Sequence, residues 1–227
     1  MSTEEVLGPA SVLRQEVNRS RMLETARSKD MVTIRFTERR GAVLTPSGLA
    51  CLAGVPTVNI STGCAHRCVY CYGRGYSQYP GDRTVLVYRD TAARVEKELA
   101  RKRRRPAAVY FCPSCDAFQP VDAVLEESYR TMHVLLESGV GVEFISKGAI
   151  PGRFLDLFNR HQGRVSAQVG LTTLDDSLRA TLEPGAAPPP SADAPSATAP
   201  PPTGPPVWPR PSDRSSAARY ATATPRD

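Results

Sequence analysis

Short apolar runs alternate with longer amphipathic stretches from Val55 to Glu183. Four runs rich in β-branched and aromatic residues predict strands, at 56–61, 107–112, 140–146 and 164–173. Four stretches with helical periodicity predict helices, at 91–104, 121–139, 151–161 and 173–183. Strands that alternate with helices in this way indicate an α/β protein of parallel βα units, which carry functional residues at the C-terminal ends of the strands.

Proline, glycine and capping residues support the predicted helix boundaries. Pro120 and Pro151 suit the first turns of the second and third helices, and Gly139 suits the end of the second. A Thr173…Asp176 capping pattern predicts the start of the fourth helix.

The regions on either side of the predicted core, residues 55–183, have a different composition. Residues 1–54 are mixed and polar, and we interpret them as an N-terminal extension whose amphipathic stretch at 11–28 is compatible with a helix. Residues 184–227 hold 13 of the 21 prolines and contain no Leu, Ile, Phe, Met or Lys. Such a segment cannot bury a core, so we expect a disordered tail.

Two explanations of this tail stay open. One is a natural Pro/Ala-rich tail. The other is a reading-frame slip near residues 187–190, because Ala, Pro, Gly, Arg, Ser, Thr and Asp are typical of a GC-rich gene translated out of frame. In the second case the fifth βα unit is missing, and an amphipathic helix and strand should be encoded in another frame.

Composition indicates a soluble cytosolic protein. The N-terminus does not resemble a secretory signal, and no apolar run reaches the roughly 18 residues of a membrane span. Thiols stay reduced in the cytosol.

The net charge of +6 permits a polyanionic partner. The basic run at 101–105, just before Pro106, is read either as a solvated helix end or as a nucleic-acid patch; the first is favoured because no aromatic residues interleave with the charges.

Three cysteines fall within eight positions of the segment "GCAHRCVYCYGRG": Cys64, Cys68 and Cys71. A C-x-x-x-C-x-x-C loop after a strand can give three thiolates to a [4Fe-4S] cluster and leave the fourth iron open to a ligand. The alternative is zinc, with His66 as the fourth ligand.

The other cysteines leave several interpretations open. Cys112 and Cys115 form a C-x-x-C pair that is half of a remote zinc site, a redox pair, or two small residues at a strand end. Cys51 is interpreted as structural.

The string "CAHRCVYCY" resembles the cluster motif of the radical S-adenosylmethionine (radical SAM) superfamily. Together with "YFCPSCDAFQPVD", "VEFISKGAI" and "VSAQVGLTTLDDSLRATLEPGAAPP", it resembles the spore photoproduct lyase-like branch, which is described as related to DNA-repair photolyases. The resemblance covers roughly residues 56–189. It implies a partial (βα)6 barrel, here truncated after about four βα units, with a [4Fe-4S] cluster and S-adenosylmethionine as cofactors.

The resemblance also implies roles for individual residues. Cys64, Cys68 and Cys71 match the cluster ligands. Tyr70 matches the aromatic residue beside the adenine, and Tyr70 and Tyr72 match two tyrosines implicated in hydrogen-atom relay; ordinary loop packing explains both tyrosines equally well.

Residues at the predicted strand ends match further parts of the cofactor site. Lys147 matches a lysine that holds the cofactor carboxylate, although a solvated lysine is an alternative. Ser114 and Asp116 occupy the region that meets the cofactor amino group, and Thr172 is placed to reach the ribose hydroxyls.

Two departures from the lyase pattern bear on function. The hydrogen-donating cysteine of the lyase aligns with Pro113, so its role is not carried over, and the last two βα units and the DNA-contacting part have no counterpart. We therefore expect a radical SAM lyase-like enzyme of unknown substrate, with nucleic acid as one candidate and a flavodoxin- or ferredoxin-type electron donor. The alternatives are a zinc-binding module without catalysis and an inactive, truncated product.

Overall fold

The computed structural model describes residues 32–188 of the protein. The amphipathic stretch at 11–28 and residues 189–227 of the Pro-rich tail lie outside them. The strands of the described part are β1 (Thr33–Thr37), β2 (Thr45–Pro46), β3 (Pro56–Val58), β4 (Ser61–Thr62), β5 (Thr84–Tyr88), β6 (Ala108–Phe111), β7 (Gly141–Ser146) and β8 (Val165–Val169). Its α-helices are α1 (Thr91–Arg101), α2 (Asp122–Glu137), α3 (Gly152–Arg160) and α4 (Asp176–Leu182).

A five-stranded sheet in the order β2-β3-β6-β7-β8 forms the centre of the described part. Strands β3, β6, β7 and β8 are parallel, with Thr57 opposite Tyr110 and Val142 opposite Val165. α2 connects β6 to β7, and α3 connects β7 to β8. The prediction of parallel βα units is confirmed. β2, which lies before Val55, pairs antiparallel with β3, and the domain boundary at residue 54 stays a prediction.

The predicted strand at 56–61 is wrong as a single element. It divides into β3 and β4, which belong to different sheets. Asn59 stands at the break, where its main-chain carbonyl accepts a hydrogen bond from Arg39 and its side-chain oxygen accepts one from the amide of Ser114 at 3.1 Å. These contacts direct the main-chain and side-chain groups of Asn59 to partners outside the strand ladder. β4 instead pairs antiparallel with β5, in a second sheet ordered β1-β5-β4 that the sequence pattern did not reveal.

Helix ends follow some of the sequence signals and depart from others. The predicted first-turn positions of Pro120 and Pro151 are wrong, because α2 begins at Asp122 after an N-cap at Val121, and Pro151 is itself the N-cap of α3. Gly139 has a φ of +77°, and its amide donates to Leu136 at 3.0 Å, so its predicted role at the end of α2 is confirmed. α1 ends at Arg101 instead of residue 104, and the basic run at 101–105 is exposed. The predicted capping pattern of α4 is wrong, because the helix begins three residues later. Its cap is Asp175, whose carboxylate accepts from the amide of Leu178 at 2.9 Å.

An aromatic cluster lies between the central sheet and its helices. Phe118 lies with its ring centroid 4.9 Å from those of both Phe144 on β7 and Phe154 on α3. All three side chains are almost completely buried. The five-stranded sheet ends at β8, which is an edge strand. Val169, at the end of this strand, is 77% exposed.

None of the helices within 32–188 has the length and apolar character that crossing a membrane requires.

Candidate cofactor site

The three clustered cysteines lie on a compact loop between β4 and a short 3₁₀ helix at Tyr72–Gly75. Gly63 opens this loop with a φ of +82°, and a Cβ atom there would lie 2.3 Å from the carbonyl oxygen of Thr84. Cys68 is buried, while Cys64 and Cys71 are partly exposed. Turn hydrogen bonds fold the loop back on itself, since the amide of Cys71 donates to the carbonyl of Cys68 at 3.2 Å.

Two of the loop thiols, those of Cys64 and Cys68, are held in the neutral form. Burial, with a smaller contribution from Asp116, raises the pKa of Cys64 well above its usual value. Burial, followed by the negative charge of Glu183, raises the pKa of Cys68 to about 11. Binding of a metal cluster by these thiols would therefore release protons, because the ligand is the thiolate.

The donor set fits an iron–sulfur cluster through its chemistry. Cys64, Cys68 and Cys71 lie within eight positions of one loop, and Cys68 and Cys71 are joined by a turn hydrogen bond between their backbones at 3.2 Å. Within the described residues, no group of three or more His, Cys, Asp or Glu side chains is already arranged to hold a metal ion. The loop thus supplies the right ligands, three thiols on one short segment, without a preformed cage.

His66 links the loop to two distant parts of the chain. Its ring is 2% exposed, its Nδ1 lies 2.7 Å from the carbonyl oxygen of Gly185, and its Nε2 lies 3.1 Å from the Asp116 carboxylate. Burial disfavours the charged ring, but Asp116 outweighs this effect and raises the pKa of His66. The two ring nitrogens thus face Gly185 and Asp116, and the prediction of His66 as the fourth ligand of a zinc site stays a prediction.

Asp116 joins the ends of two strands to the loop. One carboxylate oxygen accepts from the amide of Phe118 and the hydroxyl of Ser146, both at 2.8 Å, and the other accepts from the amide of Lys147 at 2.8 Å. Burial opposes ionisation, yet these donors and His66 lower the pKa of Asp116. Asp116 is thus an ionised buried carboxylate with both oxygens in use. Its predicted contact with a cofactor amino group stays a prediction, as does that of the partly exposed Ser114.

Three of the predicted cofactor residues meet at a single carboxylate. Glu183 accepts hydrogen bonds on Oε1 from the hydroxyls of Tyr70 and Thr172. The same oxygen lies 2.9 Å from Nζ of Lys147. Lys147 Nζ also lies 3.2 Å from Thr172 Oγ1 and 5.8 Å from the centre of the Tyr70 ring. Burial raises the pKa of Glu183, while the positive charge of His66 opposes the rise.

Glu183 was not identified from the sequence. It stands at the end of an amphipathic helix, where a glutamate is normally solvated, so no local signal distinguishes it. Only its position in the string "LEPGAAPP", which contributes to the resemblance, pointed to this segment. The structure brings Tyr70, Lys147 and Thr172 together around it.

Tyr72 and the two remaining strand-end cysteines lie on the neighbouring part of the site. The Tyr72 hydroxyl donates to the carbonyl of Pro113, and burial, followed by Tyr76, raises its pKa to about 12. Cys112 is buried with a φ of +55°. Burial and a hydrogen bond with Cys115 raise the pKa of the Cys112 thiol, and the same bond lowers that of Cys115.

No protein-family model matches the chain. Among curated proteins, an uncharacterized protein of Mycobacterium tuberculosis is 30% identical over 142 residues, which cover 59% of this chain and 42% of that protein. A protein of Pseudomonas phage M6 named Radical SAM Nalpha-GlyT isomerase is 30% identical over 124 residues, or 54% of this chain and 25% of that protein.

Solved structures of spore photoproduct lyase share the fold. One variant aligns with a TM-score of 0.51 and 18% identity. Another, with bound S-adenosylmethionine and dinucleoside spore photoproduct, aligns with a TM-score of 0.52 and 16% identity. Each alignment covers 68% of this chain and 44% of the lyase chain. The resemblance to the radical SAM superfamily is confirmed.

The radical SAM resemblance extends over part of each relative only. The chain spans less than half the length of the mycobacterial protein, the phage isomerase and the lyase.

Proposed function

We propose that this protein is a radical SAM enzyme. In this proposal Cys64, Cys68 and Cys71 hold a [4Fe-4S] cluster, and S-adenosylmethionine binds beside it. The observation that supports the proposal most strongly is the convergence of Tyr70, Lys147 and Thr172, which come from the cysteine loop and from the ends of β7 and β8. The structure thus brings together three residues that the resemblance assigns to one cofactor site.

When bound, the cluster and S-adenosylmethionine supply reductive cleavage to methionine and a 5′-deoxyadenosyl radical that abstracts hydrogen from a substrate. Lys147 orients the cofactor carboxylate through its positive charge, and the half-exposed Tyr70 ring provides a flat surface for the adenine. The Tyr72 hydroxyl donates to the carbonyl of Pro113, and Tyr72 is proposed, together with Tyr70, as a candidate for hydrogen-atom relay. A flavodoxin- or ferredoxin-type protein is proposed as the electron donor.

Nucleic acid is the substrate class that we propose. One structural relative contains a dinucleoside photoproduct, and the net charge of +6 suits a polyanion. The same resemblance includes a lyase-like reaction and DNA repair, although Pro113 stands here at the position of the lyase's hydrogen-donating cysteine. A gel-shift titration with single- and double-stranded DNA at several salt concentrations tests this part, and binding that does not weaken as salt rises would argue against it.

Anaerobic reconstitution with iron and sulfide tests the cluster. We expect a brown protein with about four irons per chain. The triple variant Cys64→Ala/Cys68→Ala/Cys71→Ala should lose the iron, whereas the control Cys51→Ala, at an exposed cysteine outside the loop, should retain it. Stoichiometric zinc without colour would instead support the zinc module.

Reduction of the reconstituted protein in the presence of S-adenosylmethionine then tests catalysis. We expect 5′-deoxyadenosine, measured by liquid chromatography. An iron-loaded chain that yields none would support the inactive alternative, and a version of the chain with the restored reading frame is the comparison that separates truncation from a missing substrate.

A further inference from the structure

Glu183 has no role in the proposed chemistry, yet it is 3% exposed and ion-paired with Lys147 at 2.9 Å. We infer that Glu183 is a positioning residue, which holds Lys147, Tyr70 and Thr172 in the arrangement that binds the carboxylate end and the adenine of S-adenosylmethionine. This inference rests on the proposed function.

One oxygen of Glu183 contacts side chains from three separate segments of the chain. Oε1 of Glu183 is the common acceptor of the Tyr70 hydroxyl, the Thr172 hydroxyl and the Lys147 ammonium. These donors come from the cysteine loop, the segment after β8 and the end of β7. Without a shared anion, a flexible lysine and an exposed tyrosine would sample several rotamers, and ordering them on binding would cost affinity.

The backbone on both sides of Glu183 is hydrogen-bonded to the cysteine loop. The carbonyl of Leu182 accepts from the amide of Val69 at 2.9 Å, and the amide of Gly185 donates to the carbonyl of His66 at 3.0 Å. Gly185 approaches the loop so closely that a Cβ atom would lie 2.2 Å from the carbonyl oxygen of Ala65. Withdrawal of Glu183 would break these contacts, so its carboxylate stays in place when a ligand arrives.

The partners of Glu183 remain open to a ligand on their outer sides. Tyr70 is 50% exposed and the Lys147 side chain is 24% exposed, whereas the Glu183 side chain is 4% exposed. The carboxylate contacts the polar tips of both residues, the Tyr70 hydroxyl and the Lys147 ammonium, and Nζ of Lys147 also lies 3.2 Å from the carbonyl oxygen of Gly170. The Tyr70 ring remains half exposed, while the Glu183 carboxylate is enclosed by its partners, and this difference in exposure favours a supporting role for Glu183 over direct contact with the cofactor.

The test is the affinity of the anaerobically reconstituted protein for S-adenosylmethionine, measured by calorimetry. Glu183→Gln keeps the shape but removes the charge, and should weaken binding about tenfold, the equivalent of one charge-assisted hydrogen bond. Glu126→Gln removes an exposed carboxylate that pairs with Arg153, and should leave affinity unchanged. Unchanged or tighter binding by Glu183→Gln would overturn the inference, and tighter binding would identify Glu183 as a competitor of the ligand carboxylate.

A double-variant cycle separates positioning from general destabilisation. If Glu183 acts partly through Lys147, Glu183→Gln should weaken binding less in a Lys147→Met background than in the natural chain, and the remaining effect would come from Tyr70 and Thr172. Equal effects in both backgrounds would contradict the inference.

A second readout requires no cofactor. Acylation of Lys147 in the metal-free chain, followed by mass spectrometry, should be faster in Glu183→Gln than in the natural sequence, because the amine loses its ion pair, and an equal rate would contradict the inference. A reconstituted natural chain that does not bind S-adenosylmethionine would count against the proposed function, while this labelling result would still decide whether Glu183 holds Lys147.

Discussion

Asp116 and His66 form a buried ion pair, with 3.1 Å between the carboxylate oxygen and Nε2 of the imidazole. The pair joins the end of β6 to the cysteine loop. His66 continues the connection to Gly185 through its other nitrogen. The loop that carries the candidate cluster ligands is therefore anchored from within the fold, by residues that are not themselves candidate ligands.

Substitution of Asp116 should destabilise the fold strongly. Asp116→Asn removes a buried negative charge that accepts three hydrogen bonds and faces His66, so we expect a loss of about 3 kcal/mol in the free energy of unfolding. Urea denaturation of the metal-free chain measures the loss. Asp156→Asn, at an exposed position on α3, is the control and should change stability by less than about 0.5 kcal/mol.

The same carboxylate should make stability depend on pH in the acid range. The pKa of Asp116 is lowered in the folded protein, so its stabilising contribution is present above the unfolded value of 3.8 and is lost as pH falls through the lower folded value. The difference in unfolding free energy between the natural chain and Asp116→Asn should therefore shrink as pH falls below about 4. A difference that stays constant down to pH 2 would show that this carboxylate is not stabilised by its neighbours.

Gly185 should not tolerate a side chain. Gly185→Ala places a Cβ atom 2.2 Å from the carbonyl oxygen of Ala65, so the segment must move away from the cysteine loop. We expect a loss of about 1–3 kcal/mol on urea unfolding. Gly152→Ala, at the start of α3 where no heavy atom lies within 4 Å of the added carbon, should be neutral or slightly stabilising.

Residues before the predicted core should contribute to stability through Glu98. Its carboxylate on α1 accepts from the amides of Val43 at 2.5 Å and Leu44 at 3.1 Å. Glu98→Ala should lower the unfolding free energy by about 1–3 kcal/mol, since two backbone donors lose their partner. The matched control is Glu96→Ala, at an exposed position on the same helix; equal effects of the two substitutions would contradict this role.

Thiol reactivity should follow burial. In the metal-free native chain, iodoacetamide should alkylate the exposed Cys51 well before the buried Cys112, whose thiol also has a raised pKa. Peptide mass spectrometry over a time course ranks the sites. Early modification of Cys112 would mean that the end of β6 opens readily, and would favour a redox role for the Cys112 and Cys115 pair.

Much of the central sheet follows from local sequence patterns. The strands β6, β7 and β8 and the helices between them have the periodicity and turn residues that burial on a parallel sheet requires, and Gly139 ends α2 as its position predicts. The three cysteines are neighbours along the chain, so their proximity needs no tertiary information. β4 is different, because a strand of two residues has no periodicity that a sequence pattern can show, and its antiparallel pairing with β5 is a tertiary contact.

Sequence alone determined the parallel βα arrangement, the cysteine loop and the resemblance built on it, because periodicity and spacing are local properties. Tertiary structure alone decided that the ring nitrogens of His66 face Asp116 and Gly185, and that Glu183 contacts Tyr70, Lys147 and Thr172. Glu183 and Tyr70 are 113 positions apart, and a contact at that distance along the chain arises only when the strand ends between them are brought to one edge of the sheet.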